Sequence, residues 1–129
     1  MIPSLINIMI IDDDKDLPEI IKAILLKEGY QVSVYHDAES AIEDVKTQKP
    51  DLILMDVMLP GLNGAEAIKE IRKDPVNKNI PVIFLTGLVS GRDSDLKEAG
   101  IHVDGLKFQT LGKPFETREL LALVKNMLE

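Results

Sequence analysis

The chain contains no cysteine. That removes a disulfide framework, a thiol nucleophile and any thiolate metal site, and it agrees with a reducing compartment. No apolar run is long enough to span a bilayer, and no stretch has the charged start, apolar core and cleavage site of a signal peptide. A soluble cytoplasmic protein without membrane contact is the expectation. Pro-, Gly- or Ser-rich tracts and repeats that would mark a linker are also missing, so residues 1–129 read as one compact domain. Positive charge is in deficit, with a formal net charge of -7. Each phosphate contact needs a cation to displace counterions, so direct binding to nucleic acid or anionic lipid is not expected. The expected partners are proteins.

What is present is a globular composition, 45% apolar, in a chain long enough for a single core. Leu52, Ile53, Leu54 and Met55 form an unbroken apolar run that suits a strand buried on both faces, and Asp56 is the first charge after it. Pro60, Gly61, Asn63 and Gly64 then turn the chain. An earlier isoleucine-rich run, Leu5 to Ile11, reads as a second buried strand and ends in Asp12, Asp13 and Asp14. A helix follows from Asp16, with Pro18 in its first turn, a face of Leu17, Ile20, Ile21, Ile24 and Leu25, and Gly29 as its stop.

Gln31 to Tyr35 reads as a short strand, and Ala38, Ala41, Ile42 and Val45 repeat the helical face. Asn63 can cap a third helix that buries Gly64, Ala67, Ile68 and Ile71 and closes at Asp74-Pro75. Ile80 to Leu85 is the fourth strand, ending at Thr86-Gly87, and Gly91 to Ala99 is a weakly periodic short helix. Leu106 to Leu111 is the fifth strand, before Gly112-Lys113-Pro114-Phe115. A last helix uses Leu120, Leu121, Val124, Met127 and Leu128.

Strands alternating with helices pair in parallel through right-handed crossovers, which gives a doubly wound α/β sandwich. The C-terminal ends of parallel strands share one edge of the sheet, where ligands bind in such folds. Asp12, Asp13, Asp56, Thr86 and Lys113 are therefore expected together. Clustered carboxylates repel one another by roughly 4 kcal/mol per pair at about 4 Å in the effective dielectric of a protein surface, so the cluster needs a cation. All-oxygen ligands select a hard divalent ion, magnesium or manganese. Asp13 and Asp56 are the best ligand candidates, the backbone carbonyl of Met58 is a third, and Asp12 would hold a coordinated water. Lys113 adds a fixed positive charge. A carboxylate in such company is equipped to accept a phosphoryl group, with Thr86 donating to the new phosphate oxygens.

These residues in this order resemble the response-regulator receiver family of two-component signalling, its chemotaxis-regulator-like members in particular. The resemblance is carried by Ile10-Ile11-Asp12-Asp13-Asp14, by the run from Asp51 through Asp56 to Pro60-Gly61, by Phe84-Leu85-Thr86-Gly87 and by Lys113-Pro114-Phe115. It implies a flavodoxin-like, five-stranded parallel sheet of strand order 2-1-3-4-5. It also implies magnesium-dependent phosphorylation of Asp56 by a sensor histidine kinase or phosphotransfer protein, without enzyme activity toward another substrate. Asp12 and Asp13 would be the acid pair, Thr86 the switch hydroxyl and Lys113 the phosphate contact, its bond to Pro114 cis. Such domains often pair as homodimers through the face of the fourth helix and fifth strand.

Two departures from the family pattern stand out. The segment from Gly100 to Lys113 is longer than usual, with Ile101 to Gly105 as the surplus. The position three before the lysine, where a Tyr or Phe that moves on activation is usual, holds Thr110, and Phe108 is the nearest ring. Either a shifted register lets Phe108 serve or the signal leaves by another route. Met58 and Leu88, two after Asp56 and Thr86, are apolar and would shield an aspartyl phosphate from water. A haloacid-dehalogenase-like phosphatase would want an Asp where Met58 stands. Nucleotide binding lacks both the Walker spacing and a G-x-G-x-x-G after the first strand. His36 and His102 have no partner at ligand spacing and read as surface residues. The remaining alternative is a receiver-like scaffold that binds partners without phosphorylation.

Overall fold

The structure is a computed structural model that describes residues 6–87, 101–103 and 106–129, and only the backbone at Ile101, His102 and Lys107. The elements run β1 (Asn7–Ile11), α1 (Leu17–Lys27), β2 (Gln31–Tyr35), α2 (Ala38–Gln48), β3 (Leu52–Asp56), α3 (Gly64–Arg72), a short 3-10 turn (Pro75–Asn77), β4 (Val82–Thr86), β5 (Ile101–Val103), β6 (Leu106–Gly112) and α4 (Thr117–Leu128). The sheet order is β2-β1-β3-β4-β6-β5, and every pairing except β5 with β6 is parallel. The five parallel strands thus have the expected order. Beyond them lies an antiparallel edge strand.

Successive side chains of a strand point to opposite faces, and this alternation divides the core in two. Met9, Ile11, Ile53, Met55, Val82 and Phe84 face one way, against Ala41 and Val45 of α2 and Ala67, Ile68 and Ile71 of α3. Ile8, Ile10, Leu52, Leu54, Ile83 and Leu85 face the other way, against Ile21 and Leu25 of α1 and Leu120 and Val124 of α4. All five residues of β3 are buried, as a strand covered on both faces requires. No helix among the described residues is long and apolar enough to cross a membrane.

Helix ends form where local chemistry favours them. Asn63 accepts from the Glu66 N–H at 2.9 Å and starts α3, and Asp37 accepts from Ser40 N–H at 2.7 Å to start α2. Glu116 and Glu119 form a reciprocal capping box at the start of α4. Gly29, at φ 97°, turns the chain out of α1.

Some expectations need correction. Ile20 is 55% exposed, so it drops out of the expected face of α1, whose Ile21 and Leu25 are buried and whose Leu17 and Ile24 pack, partly buried, against the same core. A helix buries only the residues its neighbour covers, whatever their hydrophobicity. Part of the surplus between Gly100 and Lys113, to which the sequence assigned no element, is a strand, because Ile101, His102 and Val103 pair antiparallel with Phe108, Lys107 and Leu106. β6 therefore gains a partner on what would otherwise be the sheet edge. The helix expected over Gly91 to Ala99 lies outside the described residues, as do Leu5 and Leu88.

Candidate functional site

β1 and β3 are adjacent and in register from Ile8 with Leu52 to Ile11 with Met55. Their carboxyl ends therefore present Asp12 and Asp56 side by side. One carboxylate oxygen each from Asp12, Asp13 and Asp56 lie within 4.8 Å of one another. Asp12 is fully buried, Asp56 is 8% exposed and Asp13 is exposed, so the cluster opens to solvent on one side.

From the other side comes Lys113. Its N–H donates to the Thr86 carbonyl at 2.7 Å, which ties the end of β6 to the end of β4. The Lys113 ammonium donates to Asp12 Oδ2 at 2.8 Å and reaches Asp56 Oδ2 at 3.4 Å. The Lys113–Pro114 bond is cis, as the resemblance implied. Thr86 is buried at the end of β4, its backbone in register with Gly112. The five residues expected at one sheet edge are thus at that edge, with Asp12, Asp13 and Asp56 in mutual reach and Lys113 on Asp12 and Asp56.

Three negative charges face one positive charge in a partly buried site. Burial pushes the Asp56 carboxyl above the ordinary carboxylate value, and the neighbouring Asp12 adds to the rise. The Met58 N–H, donating to Asp56 Oδ1 at 3.2 Å, and the Lys113 charge oppose it without cancelling it. Burial alone would lower the Lys113 ammonium, but its bond to Asp12 and the charges of Asp12 and Asp56 hold it above its ordinary value. A hard cation would relieve this imbalance. The oxygen-only donor set fits one, with buried Asp12 already anchored by the Asp14 N–H at 3.0 Å.

Three features escaped the sequence. The first is the Met58 amide, the site contact of a residue expected to act through its carbonyl. The second is Gly64, where a Cβ would lie 2.6 Å from the Asp56 carbonyl oxygen and 3.1 Å from the Phe84 ring. Its N–H donates to the Val57 carbonyl at 2.9 Å, so α3 starts directly against the end of β3. The Asn63-Gly64 pair reads as a turn, and nothing in it signals this close approach. The third is His36, exposed as expected but with Nδ1 3.1 Å from the Asp12 carbonyl oxygen.

The two aromatic possibilities are now separated. β6 sets Thr110 beside Phe84 and Gly112 beside Thr86. Phe108 lies a further two residues back along the strand, buried and edge-on to Phe84, with ring centroids 5.7 Å apart. The Arg72 guanidinium covers its ring at 4.8 Å. No shift of register brings Phe108 to the position of Thr110.

The family model for the response regulator receiver domain matches residues 8–125. Among solved structures, a putative response regulator from Chloroflexus aurantiacus is 30% identical, with a TM-score of 0.80 over 95% of this chain and 96% of that one. The receiver domain of sensor histidine kinase PA1611 from Pseudomonas aeruginosa is also 30% identical, with a TM-score of 0.77 over 95% of this chain and 96% of that one, and its structure holds magnesium in the active-site cleft. The chemotaxis protein CheY4 of Vibrio cholerae shares the fold at 24% identity, with a TM-score of 0.79 over 95% of this chain and 98% of that one.

Proposed function

The chain belongs to the response regulator receiver domain family, and we propose that it accepts a phosphoryl group on Asp56 and changes its protein-binding surface in response. The observation that carries this reading is the convergence of Asp12, Asp13 and Asp56 within 4.8 Å beside the Lys113 ammonium. An Asp56 carboxylate oxygen attacks the phosphorus of a phosphohistidine on a sensor histidine kinase or phosphotransfer protein. The O–P bond forms as the N–P bond breaks, and the imidazole leaves with the bonding electron pair. Catalysis of such a transfer is mostly positioning and charge neutralisation, so no general base is needed.

Asp13, Asp56 and the Met58 carbonyl would hold magnesium or manganese, with Asp12 orienting a coordinated water. When bound, that ion neutralises charge on the carboxylates and on the incoming phosphoryl oxygens. Lys113 moves from its carboxylate partners toward the new phosphoryl oxygens, which carry more negative charge than the carboxylate they replace. Thr86, at the edge of the same site, donates its hydroxyl to the third oxygen. The domain, residues 1–129, acts in the cytoplasm as a switch and not as an enzyme on other substrates. Phosphorylation-dependent pairing of two copies belongs to the same reading.

One observation favours the scaffold alternative, in which partners bind without phosphate: Thr110 occupies the usual aromatic position and Phe108 is pinned beneath Arg72. Incubation with radiolabelled acetyl phosphate separates the two. The phosphoacceptor reading predicts a base-labile acyl-phosphate label that requires magnesium and is absent from Asp56→Asn. An unlabelled, folded wild type supports the scaffold.

A further inference from the structure

At the edge of the sheet opposite Asp56, two grooves flank one wall made by Arg72, Leu106 and Phe108. One, of about 410 Å³, runs past Lys78 and Met127, and the other, of about 320 Å³, runs past Lys69 and Val103. The wall exists because β5 and β6 form a hairpin that lays Leu106, 53% exposed, beside the end of α3. Among the described residues no carboxylate lines either groove, in a chain whose net charge is -7.

Arg72 is the unusual member. Its guanidinium stacks on Phe108 and donates through one Nη to the Ile80 carbonyl at 2.7 Å. Its Nε is buried without a hydrogen-bond partner, and among the described residues no carboxylate pairs with it. The buried Nε is out of a partner's reach, so the Nη donors not spent on Ile80 are what this half-buried guanidinium offers a carboxylate. Burial lowers its pKa from the ordinary value, and a guanidinium stays charged in a protein in any case.

We propose that this wall, Arg72 with Leu106 and Phe108, is a docking site for an acidic, leucine-containing segment of a partner protein. The carboxylates meet Arg72 and Lys78, and the leucine side chain packs on the exposed Leu106. The charge complementarity selects the acidic occupant and the exposed Leu106 selects a peptide over a polyanion, because a nucleic acid backbone would bring phosphates toward an acidic molecule and leave Leu106 bare. The site is independent of Asp56 chemistry and stands whether or not the phosphoacceptor reading holds.

The test is a titration of the isotope-labelled full chain with a short amidated peptide of Glu, Asp and Leu, followed by amide chemical shifts. Shifts confined to the end of α3, β6 and the end of α4 are expected, with affinity falling as salt rises. Leu106→Ser and Lys78→Glu are both exposed changes that leave the fold intact, and each is expected to weaken binding at least tenfold. A peptide with serine for leucine is expected to lose a similar factor. Equal binding of the serine peptide, shifts located elsewhere, indifference to both variants, or no shifts at millimolar peptide would overturn the proposal.

Discussion

Asp56 sits within reach of Asp12, Asp13 and Lys113, and its energetics follow from these neighbours. Its pKa is raised by burial and by Asp12. A raised folded-state value means that its favourable contribution to folding is fully present below the unfolded carboxylate pKa and lost as pH rises through the folded one. At neutral pH the ionised Asp56 therefore opposes the metal-free fold. Asp56→Asn is expected to raise the thermal midpoint in chelator by a few degrees, on the order of 1 kcal/mol. Calorimetry at pH 7 checks it, and a lowered midpoint would contradict the repulsion described here. Lys113 has the opposite role. Its raised pKa supports the fold below the ordinary lysine value of 10.5, and that support is lost as pH climbs through the folded value. Lys113→Met should then destabilise the protein near pH 7 by roughly 2 kcal/mol, because Asp12 and Asp56 are left without their shared cation. Urea titration at pH 7 measures the loss, and a variant as stable as wild type would show that the ammonium is not needed. Met58, 68% exposed and outside the core, has an apolar side chain that packing does not require. Met58→Asn is expected to speed loss of the acyl phosphate severalfold, read by the decay of the label in chelator. An unchanged decay would remove the shielding role.

Strand ends and helix starts place these residues, and they differ in how much of themselves the sequence discloses. β3 was legible because an unbroken apolar run followed by an aspartate has few other readings, and α3 because Asn63 and the spacing of Gly64, Ala67, Ile68 and Ile71 give both its start and its face. The buried set of α3 is the set the spacing predicts. α1 was over-read at Ile20 alone, since five apolar residues on one face do not say which of them a neighbour will leave uncovered. β5 was missed because three residues have no measurable period, and a hairpin reveals itself only when its partner strand is known. Gly64 carries the sharpest prediction among the elements. A methyl group there would lie 2.6 Å from the Asp56 carbonyl oxygen, a backbone atom that cannot swing away. Gly64→Ala should cost about 1–3 kcal/mol and slow phosphorylation by displacing the loop that carries Asp56 and the Met58 amide. Denaturant titration and labelling rate read the two effects, and an alanine variant unchanged in both would show that α3 is free to move.

Across the whole molecule, the parallel sheet explains how residues more than a hundred positions apart, Asp12 and Lys113, come to share a hydrogen bond. The alternation of strands and helices made that convergence readable in advance, because it fixes which strand ends share an edge. What could not be read was the contact chain that leads away from the site, Phe84 edge-on to Phe108 and Phe108 beneath Arg72, since such contacts depend on the register of β6 and not on any local pattern. A cation that binds only the folded state should add about 2.7 kcal/mol at a hundred times its dissociation constant, so millimolar magnesium is expected to raise the wild-type midpoint and Asp13→Asn to lose most of the gain. Such binding would establish the metal and leave the acceptor open. The more direct measurement is intact mass after incubation with acetyl phosphate and magnesium, with the modified residue mapped by borohydride reduction. The account predicts a single added phosphoryl group on wild type, mapped to Asp56, and none on Asp56→Asn. A folded, magnesium-binding wild type that gains no mass, or a group that maps elsewhere, would contradict it.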